Sequence, residues 1–572
     1  MAQVGRFLKG VLKGGLITTG LGITGGVGYA YATDPRSLQL WTGLGPVIVH
    51  YRAIEFKQKH FGPASTTPEA EAEWNTLHEK YADHVLKSFQ DLRGFYTKVG
   101  QYMASRNDVI PEIYSEKLRT LEDQVPHNTT RETILRVLKE SLGVGELKDV
   151  FVGLDLEKPV GTASIGQVFR ARLKENGADV AIKVQTPGVE TLFRGDLKTA
   201  RAFAAVMAPE QLIIFDEIER QFLTEFDYRR EADQLEQVHQ NMKKYRKEVV
   251  VPRPYKKYCT KEVLVMDFIP GPKLIEGIRE MGRRWAAQKG VDFEQLQRDT
   301  KAKYEREGLP PPYDGPTAST LQLYRFWLRF WDLIRNYPVW LYNTVLQPVT
   351  HAFTLGLVSL PKAPYFHIFI PLNTAKIMDT LIRVHGHQLL VDGFFNADPH
   401  TGNFLLCPDE RIGLIDYGQV KRLTKEQRLD MVKLVAALYR DDLGRIQEIV
   451  IRNGYVSKHY DPVVMRKMVT VCFDQDGRNV TDGLNLQQFM DKMYEMDPWE
   501  KTGELVIMPA RLSFLLRGIG LMMNHPVSLL RVWGPLAEKV LKAEKVDYNS
   551  LEDHIAPPGS SCVQIVKIED EA

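Results

Sequence analysis

Cysteine is scarce in this chain of 572 residues. The four cysteines, Cys259, Cys407, Cys472 and Cys562, lie far apart and form no CxxC pair. This spacing argues against a disulfide framework and against structural zinc, and it fits a reducing compartment. A strong net charge is also lacking, because 74 lysines and arginines face 72 acids for a formal charge of +2. The composition therefore predicts no nucleic-acid partner.

Acidic residues are absent from the N-terminus until Asp34. Arg6, Lys9 and Lys13 precede an uncharged, glycine- and threonine-rich run over residues 14–33. A basic start without acids is typical of a mitochondrial targeting segment, and the run is long enough to span a bilayer. We therefore predict a mitochondrial, membrane-associated protein. The alternative is a disordered, glycine-rich leader.

Hydrophobic periodicity predicts helices first and strands later. Steps of three and four residues predict a helix from Glu69 to about Asn107, then helices up to residue 121 and over 130–142. The stretches PVGTASIGQVFRARL and ADVAIKVQ read as paired strands. A helix over about 216–243 and a strand, EVLVMDFIPG, follow, and the remainder is helical apart from the short strand RIGLIDYG. A small sheet followed by helices is an α+β arrangement.

An aromatic segment after the proline-rich break at 309–316 has a narrow polar stripe. Gln322, Arg325, Arg329, Asp332 and Asn336 recur at steps of three and four residues, and three of the eight tryptophans lie in or just after this helix. Arginine beside tryptophan and leucine is typical of a helix in a membrane interface. A helix buried against the rest of the protein is the alternative, and both readings stay open.

Two motifs in the strand region indicate phosphate binding. The small residues Gly161, Thr162, Ala163 and Ser164 form a turn that lets backbone N–H groups approach phosphates. Lys183 ends the tetrapeptide Val-Ala-Ile-Lys, which places a lysine on a strand beside nucleotide phosphates.

Two further motifs near the C-terminal half indicate magnesium. Asp398 and Asn403 have the Asp-x4-Asn spacing of a kinase catalytic loop, although the usual His-Arg-Asp start is missing. Asp416, in Asp-Tyr-Gly at a strand end, offers a second magnesium ligand. Each motif alone is weak, but the four in order predict ATP and Mg²⁺ binding on a kinase-like fold.

With these motifs the chain resembles the UbiB family of atypical kinase-like proteins, also called aarF-domain kinases, over roughly Leu92–Gly271 and Asp379–Leu541. Lys98-Val-Gly-Gln101 matches the Lys-x-Gly-Gln motif of the family, and Glu225-Phe-Asp227 matches its Glu-x-Asp motif. Residues 396–403 match its His-Ala-Asp-Pro-His-Pro-Gly-Asn loop, with Asn396 and Thr401 as departures. The nucleotide loop also departs, beginning Gly-Thr where the family has Ala-Ala. No departure removes a group that binds magnesium or phosphate.

The resemblance implies a bilobal, protein-kinase-like α+β fold with a small N-lobe sheet, a helical C-lobe and a family-specific helical extension. We expect a targeting and connector segment at residues 1–60, the helical extension with the Lys-x-Gly-Gln motif at 61–150 and the N-lobe at 151–271. An insertion at 272–371, the C-lobe at 372–545 and a tail at 546–572 follow.

The resemblance also assigns roles. Lys183 pairs with phosphates and with a glutamate; Glu231 and Glu225 are both candidates, and one division gives Glu231 to Lys183 and Glu225 or Asp227 to Lys98. Asn403 and Asp416 bind Mg²⁺, and Asp398 is the base or orients water. Backbone groups from Met266 to Phe268 contact adenine. The helix carrying Lys98 and Gln101 covers the cleft and offers a cation and an amide, while a glycine between them suggests that something packs there.

The expected function is that of an atypical kinase or ATPase that uses Mg²⁺ and ATP at a mitochondrial membrane. Its expected partners are membrane lipids or proteins of lipid or isoprenoid-quinone pathways, without nucleic acid and with no indication of oligomeric state. The alternative is a catalytically weak pseudokinase that binds lipids or proteins as a nucleotide-dependent scaffold.

Overall fold

The computed structural model describes most of the chain. The described residues are 35–61, 67–104, 111–122, 129–163, 165–207, 223–310, 313–355, 357, 360–366, 372–484, 486–501 and 503–548. The targeting segment predicted before residue 35, Ser164 of the nucleotide loop and all but the start of the tail lie outside them.

Helices precede the first strand, as predicted. They are Pro35–Phe61, Pro68–Leu92, Phe95–Ala104, Glu112–Leu118 with a 3-10 turn at Arg119–Glu122, and Arg131–Leu142. The single helix predicted from Glu69 to about Asn107 is wrong, because the chain breaks at Arg93 and Gly94. Both have positive φ values, 57° and 52°, which a right-handed helix does not accommodate. The break lets Phe95 turn into the core, where it is fully buried.

Five antiparallel strands form the N-lobe sheet. They are β1 (Phe151–Val152), β2 (Gly161–Ala163), β3 (Gly166–Leu173), β4 (Asp179–Gln185) and β6 (Val263–Asp267), in the order β1-β3-β4-β6 with β2 on β3. Two predictions are wrong in detail. The segment 161–163, expected as a turn, is strand β2 paired with β3, and β6 ends at Asp267, before Gly271. Gly166 fits where β3 meets β4, since a Cβ there would lie 2.2 Å from the carbonyl oxygen of Val184.

The period of two along β4 divides its side chains between two environments. Val180, Ile182 and Val184 are buried in a core shared with the helix Arg131–Leu142. Ala181 joins the other large core, and Lys183 follows it on that same face.

Between β4 and β6 the described residues form the helices Val189–Met207 and Tyr228–Asn241, with a 3-10 turn at Leu223–Phe226. The stretch predicted as helical over 216–243 is helical in its described part, with a break at Asp227. Asp227 caps the second helix, since its carboxylate accepts from the Arg229 N–H at 3.1 Å. Glu225 thus lies in the 3-10 turn and Glu231 in the helix that follows it.

The C-lobe is mainly helical. Its helices are Leu274–Lys289, Phe293–Glu307, Thr374–His387, Lys425–Arg440, Leu443–Arg452, Pro462–Phe473, Leu486–Met496, Glu504–Met522 and Leu530–Ala543. Its short strands are β5 (Val249–Val250), β7 (Phe394–Asn396), β8 (Phe404–Leu406), β9 (Ile412–Leu414), β10 (Val420–Arg422), β11 (Val456–Ser457) and β12 (Trp499–Lys501). One helix of the described chain, Leu505–Met522, has the length and apolar composition of a membrane span, but 72% of it is buried in the protein. This is the packing of a core helix.

A hairpin leaves the C-lobe between these helices. It consists of the helix Ala318–Leu341, a π-helical turn at Tyr342–Leu346, the helix Gln347–Phe353 and a return segment, 360–366. We call residues 318–366 the projecting hairpin. The predicted aromatic helix is confirmed, but the reading that buries it against the core is wrong, since Trp327, Trp331 and Leu333 are 50%, 54% and 70% exposed.

Candidate active site

Lys183 and Glu231 form a buried ion pair between the sheet and the helix Tyr228–Asn241. The ammonium lies 2.6 Å from the Glu231 carboxylate and 3.1 Å from that of Asp416. Of the two glutamates left open by the sequence, Glu231 is therefore the one that meets Lys183. The cap at Asp227 starts the helix so that Glu231 falls in its first turn, facing β4.

Burial and neighbouring charges act in opposite directions on this cluster. Burial alone would lower the pKa of Lys183, but Asp416 and Glu231 outweigh it and hold the pKa above its usual range. Burial raises the pKa of Glu231 to about 7, with Lys183 opposing. Burial would also raise the pKa of Asp416, but Lys183 and the Gly418 N–H hold it well below its usual range. Asp416 is therefore ionised at neutral pH.

A second pair joins the helical extension to the cleft. The Lys98 ammonium lies 2.9 Å from Glu225, and both side chains are nearly buried. Burial alone would lower the pKa of Lys98. The negative charges of Glu225 and Asp398 outweigh this effect and raise the pKa above its usual value. Asp227, the other candidate partner, instead forms an ion pair with Arg229 at 2.7 Å. Lys98 thus places a cation beside the acids of the cleft, with Glu225 as its partner.

The rest of the Lys-x-Gly-Gln motif serves the extension itself. A Cβ on Gly100 would lie 2.4 Å from Leu121 Cδ1 and 2.9 Å from Phe89 Cδ2, which confirms that something packs against this glycine. The Gln101 amide donates to the Leu121 carbonyl at 2.8 Å. This hydrogen bond ties the helix Phe95–Ala104 to the next turn, and the prediction that the Gln101 amide contacts phosphates or carboxylates stays a prediction.

Asn396 organises the catalytic loop. Its amide oxygen accepts from the Asp398 N–H at 2.8 Å, and its amide nitrogen donates to the Asp416 carbonyl at 2.9 Å. Asn403 donates to the Asp398 carbonyl at 3.1 Å, and its own carbonyl accepts from the Ile415 N–H at 3.1 Å. The structure thus brings Asp398, Asn403 and Asp416 together, and asparagine in place of the family's histidine supplies the link.

Arg511, which motif analysis missed, holds Asp398. Its guanidinium lies 2.9 Å from the Asp398 carboxylate and donates to the Gln419 side chain at 3.2 Å. Burial would raise the pKa of Asp398, but Arg511, His400 and Lys98 outweigh it and lower the pKa. The available signal was an arginine within the apolar helix Glu504–Met522, because a buried charge requires a partner.

The expected adenine contacts are only partly available. Met266 is buried within β6 opposite Ala181. The N–H groups of Asp267 and Phe268 donate at 3.0 Å to the carbonyls of Arg253 and Asp179. Both of these N–H groups hold protein strands together, so the predicted adenine contact falls to the other backbone groups of residues 266–268. The Phe268 ring packs instead on the Arg170 guanidinium, 4.3 Å from its centroid.

The residues present fit a magnesium ion and a nucleotide. A carboxylate from Asp416 and an amide oxygen from Asn403 are the hard ligands that Mg²⁺ takes. Among the described residues no group of three or more His, Cys, Asp or Glu side chains would hold a metal alone, so phosphate and water oxygens would complete the shell. Among the described residues, apart from the chain neighbours of Gly161, no atom lies within 4 Å of a Cβ built on this glycine, which leaves open space for phosphates beside Thr162 and Ala163.

Comparisons with known proteins identify the kind of domain that carries this site. The ABC1 atypical kinase-like domain matches residues 120–292 and 370–450, and the interval between them contains the projecting hairpin. Protein ACTIVITY OF BC1 COMPLEX KINASE 8, chloroplastic, of Arabidopsis thaliana is 32% identical over 264 residues, which are 44% of this chain and 33% of that protein. AarF domain-containing protein kinase 1 of Gallus gallus is 24% identical over 388 residues, which are 66% of this chain and 57% of that protein.

AarF domain-containing kinase 1 of Drosophila melanogaster is 30% identical over 276 residues, covering 46% of this chain and 52% of that protein. The chain therefore matches between a third and six tenths of the length of these relatives. A solved Mycobacterium tuberculosis protein, Rv3197 in complex with erythromycin, overlays with a TM-score of 0.40 at 19% identity, covering 82% of this chain and 98% of that one. Domain match, relatives and site motifs agree, and the chain belongs to the ABC1/AarF family of atypical kinase-like proteins, the UbiB group that its motifs resemble.

Proposed function

We propose that the chain is an atypical kinase or ATPase of the UbiB type that uses Mg²⁺ and ATP at a mitochondrial membrane, acting on lipid or isoprenoid-quinone pathway targets. The observation that carries the proposal is the Lys183–Glu231 pair at 2.6 Å, with Asp416 at 3.1 Å from the same ammonium. Phosphoryl transfer by protein kinases requires this lysine–glutamate pair and the metal-binding aspartate together.

Each group has a role in this proposal. Lys183 holds the α- and β-phosphates, and Asn403 and Asp416 hold Mg²⁺, which neutralises charge on the phosphates. Asp398, kept ionised by Arg511, accepts a hydrogen bond from the attacking hydroxyl or water and orients it. Because Arg511 also lowers the basicity of Asp398, we assign Asp398 to positioning more than to early proton removal.

Lys98 bears on the acceptor. It forms an ion pair with Glu225 beside the acids of the cleft, and the family resemblance implies that this helix occupies the space where a peptide substrate would dock. This supports a small molecule, a lipid or water as acceptor. The basic, acid-free N-terminal sequence supports a mitochondrial location, and the Arabidopsis relative is named as chloroplastic, another organelle.

One observation favours the alternative, a nucleotide-dependent scaffold for lipids or proteins. Both catalytic acids are paired with cations of the protein itself: Asp416 with Lys183 and Asp398 with Arg511. A site of this kind binds nucleotide without turnover if these pairs persist when ATP is bound.

Magnesium-dependent ATP hydrolysis distinguishes the two functions. It is measured with and without anionic vesicles for the wild type, for Asp416→Asn and for the control Asp233→Asn, whose side chain is 72% exposed. We expect turnover in the wild type and the control and a loss of roughly 10²–10³-fold in Asp416→Asn. ATP binding without hydrolysis in every condition supports the scaffold and rejects the enzyme.

A further inference from the structure

The projecting hairpin turns its apolar side chains away from the protein. At 100° per residue, the exposed apolar residues between Leu323 and Leu341 cover roughly 200° of the helix circumference. Exposure is highest at the tip, where Phe353, Leu355 and Leu357 are 90%, 91% and 89% exposed. Single exposed apolar side chains are ordinary, but a contiguous surface of this kind marks an interaction site.

Several polar side chains of the hairpin lie on its inner side and form hydrogen bonds or ion pairs there, whereas Arg329 and Arg335 are exposed. The Asn336 amide exchanges two hydrogen bonds with the backbone of Phe366, at 2.6 and 2.7 Å, and the Asn343 amide does the same with Ala363, both at 2.8 Å. Near the base, Arg325 pairs with Glu410. The Thr350 hydroxyl donates to the Leu346 carbonyl at 2.7 Å. Polar groups bonded inside and apolar groups outside are what a hydrocarbon environment demands.

Residue chemistry also changes along the hairpin from base to tip. Arg325, Arg329, Asp332 and Arg335 lie in the first half, Lys362 lies on the return segment, and residues 344–361 contain no Asp, Glu, Lys or Arg. From Asn343 to Phe353 the helix advances by roughly 15 Å at 1.5 Å per residue, about half of a 30 Å hydrocarbon core. Trp331, Tyr337 and Trp340 lie just before this uncharged part, where an interfacial aromatic belt belongs.

We propose that the tip of the projecting hairpin, described at residues 344–355, 357, 360 and 361, inserts into one leaflet of a lipid bilayer. Arg329, Arg335 and Lys362 then lie at the headgroups, and their positive charge suits an anionic lipid surface. A protein groove would cover one face of the helix, whereas this hairpin is apolar over most of its circumference and graded along its axis. The inserted tip is the part of the protein that would contact the membrane in the proposed function, and its insertion does not depend on ATP turnover.

The test uses the full chain with vesicles of phosphatidylcholine, alone or mixed with phosphatidylglycerol. We expect Leu355→Asp/Leu357→Asp to lower vesicle flotation roughly tenfold or more, because charges are strongly disfavoured in hydrocarbon. The matched control Val152→Asp/Leu192→Asp, at two exposed apolar positions of the N-lobe, floats like the wild type. Both double variants keep the ATP hydrolysis of the wild type in solution.

A second measurement decides the matter if another segment also holds the protein on vesicles. A photoreactive benzoylphenylalanine replaces Phe353 or, as the control, Tyr494, which is 50% exposed in the C-lobe. We expect lipid adducts at position 353 and none at 494. Absence of a lipid adduct at 353, or adducts only with a second copy of the chain, overturns the proposal. Lipid adducts without ATP hydrolysis would reject the enzyme and leave the inserted hairpin standing.

Discussion

The cleft and the projecting hairpin treat polar side chains in different ways. In the cleft, Lys183, Glu231 and Asp416 pair charge with charge inside the folded protein. In the hairpin, Asn336 and Asn343 pair neutral amides with backbone groups, and the apolar side chains face outward. Buried ions that face one another accommodate a charged ligand, whereas satisfied neutral groups behind an apolar surface accommodate hydrocarbon. Under the two proposals, this difference separates a nucleotide-using unit from a membrane-binding unit, and we expect that each can be disabled alone.

Lys183→Met gives the largest expected effect. Removing the ammonium leaves the buried Glu231 carboxylate and the half-buried Asp416 carboxylate without it, so the free energy of unfolding falls by about 3 kcal/mol, and ATP turnover falls roughly 10³-fold. The double variant Lys183→Met/Glu231→Gln should recover stability and not turnover. Denaturant unfolding measures the stability of each variant, and ATP hydrolysis measures its turnover. Vesicle flotation should not change in either variant. If the double variant recovers ATP turnover together with stability, the Lys183–Glu231 pair contributes to folding alone.

Arg511→Gln should lower turnover at neutral pH by roughly 10–100-fold, because Asp398 loses its orienting contact. The pH profile carries the sharper test. Arg511 lowers the pKa of Asp398, so this carboxylate stays ionised until the pH falls through that lowered value. Without Arg511 the pKa rises and the acid limb of the pH–rate profile moves to higher pH.

Arg517→Gln is the control on the same helix, where Arg517 instead donates to the Val471 carbonyl at 2.7 Å. It should alter stability without moving the acid limb. An unshifted profile in Arg511→Gln would remove Asp398 from the rate-determining chemistry.

Lys98→Ala should weaken ATP binding about tenfold. The substitution removes the cation from a nearly buried ion pair, and the Glu225 carboxylate left behind then repels the phosphates. The double variant Lys98→Ala/Glu225→Gln should restore much of the affinity. Lys117→Ala is the control from the same extension, since its side chain is 44% exposed. Equilibrium nucleotide binding measures all three. If Lys98→Ala binds ATP like Lys117→Ala, the extension does not contribute to the nucleotide site.

The sequence predicted local motifs well and distant or directional features poorly. Lys183, Asp398, Asn403 and Asp416 carry their own spacing, and the structure brings them to one cleft. The partner of Lys183 stayed open because Glu225 and Glu231 were assumed to share a helix, and the cap at Asp227 separates them. Arg511 lies 113 residues from Asp398, beyond any local pattern. The residue spacing predicts the polar stripe of the hairpin helix. It does not predict whether the apolar side of that helix faces a protein core or a membrane, because the helical periodicity is the same in both cases.

Asn343→Val tests the hairpin side of the comparison and gives the smallest effect. It removes both hydrogen bonds to Ala363 and leaves a half-buried backbone N–H and carbonyl without them, at a cost of about 1 kcal/mol. The return segment should then exchange its amide hydrogens faster and be cleaved more readily by protease, while ATP turnover stays at the wild-type level. Thr344→Ala, at the exposed neighbour, should change neither. Since the two amides hold the hairpin closed, vesicle flotation should fall severalfold with Asn343→Val. Flotation that survives an opened return segment would mean that the tip inserts as a lone helix, and the inward polar pairing would then have no part in membrane binding.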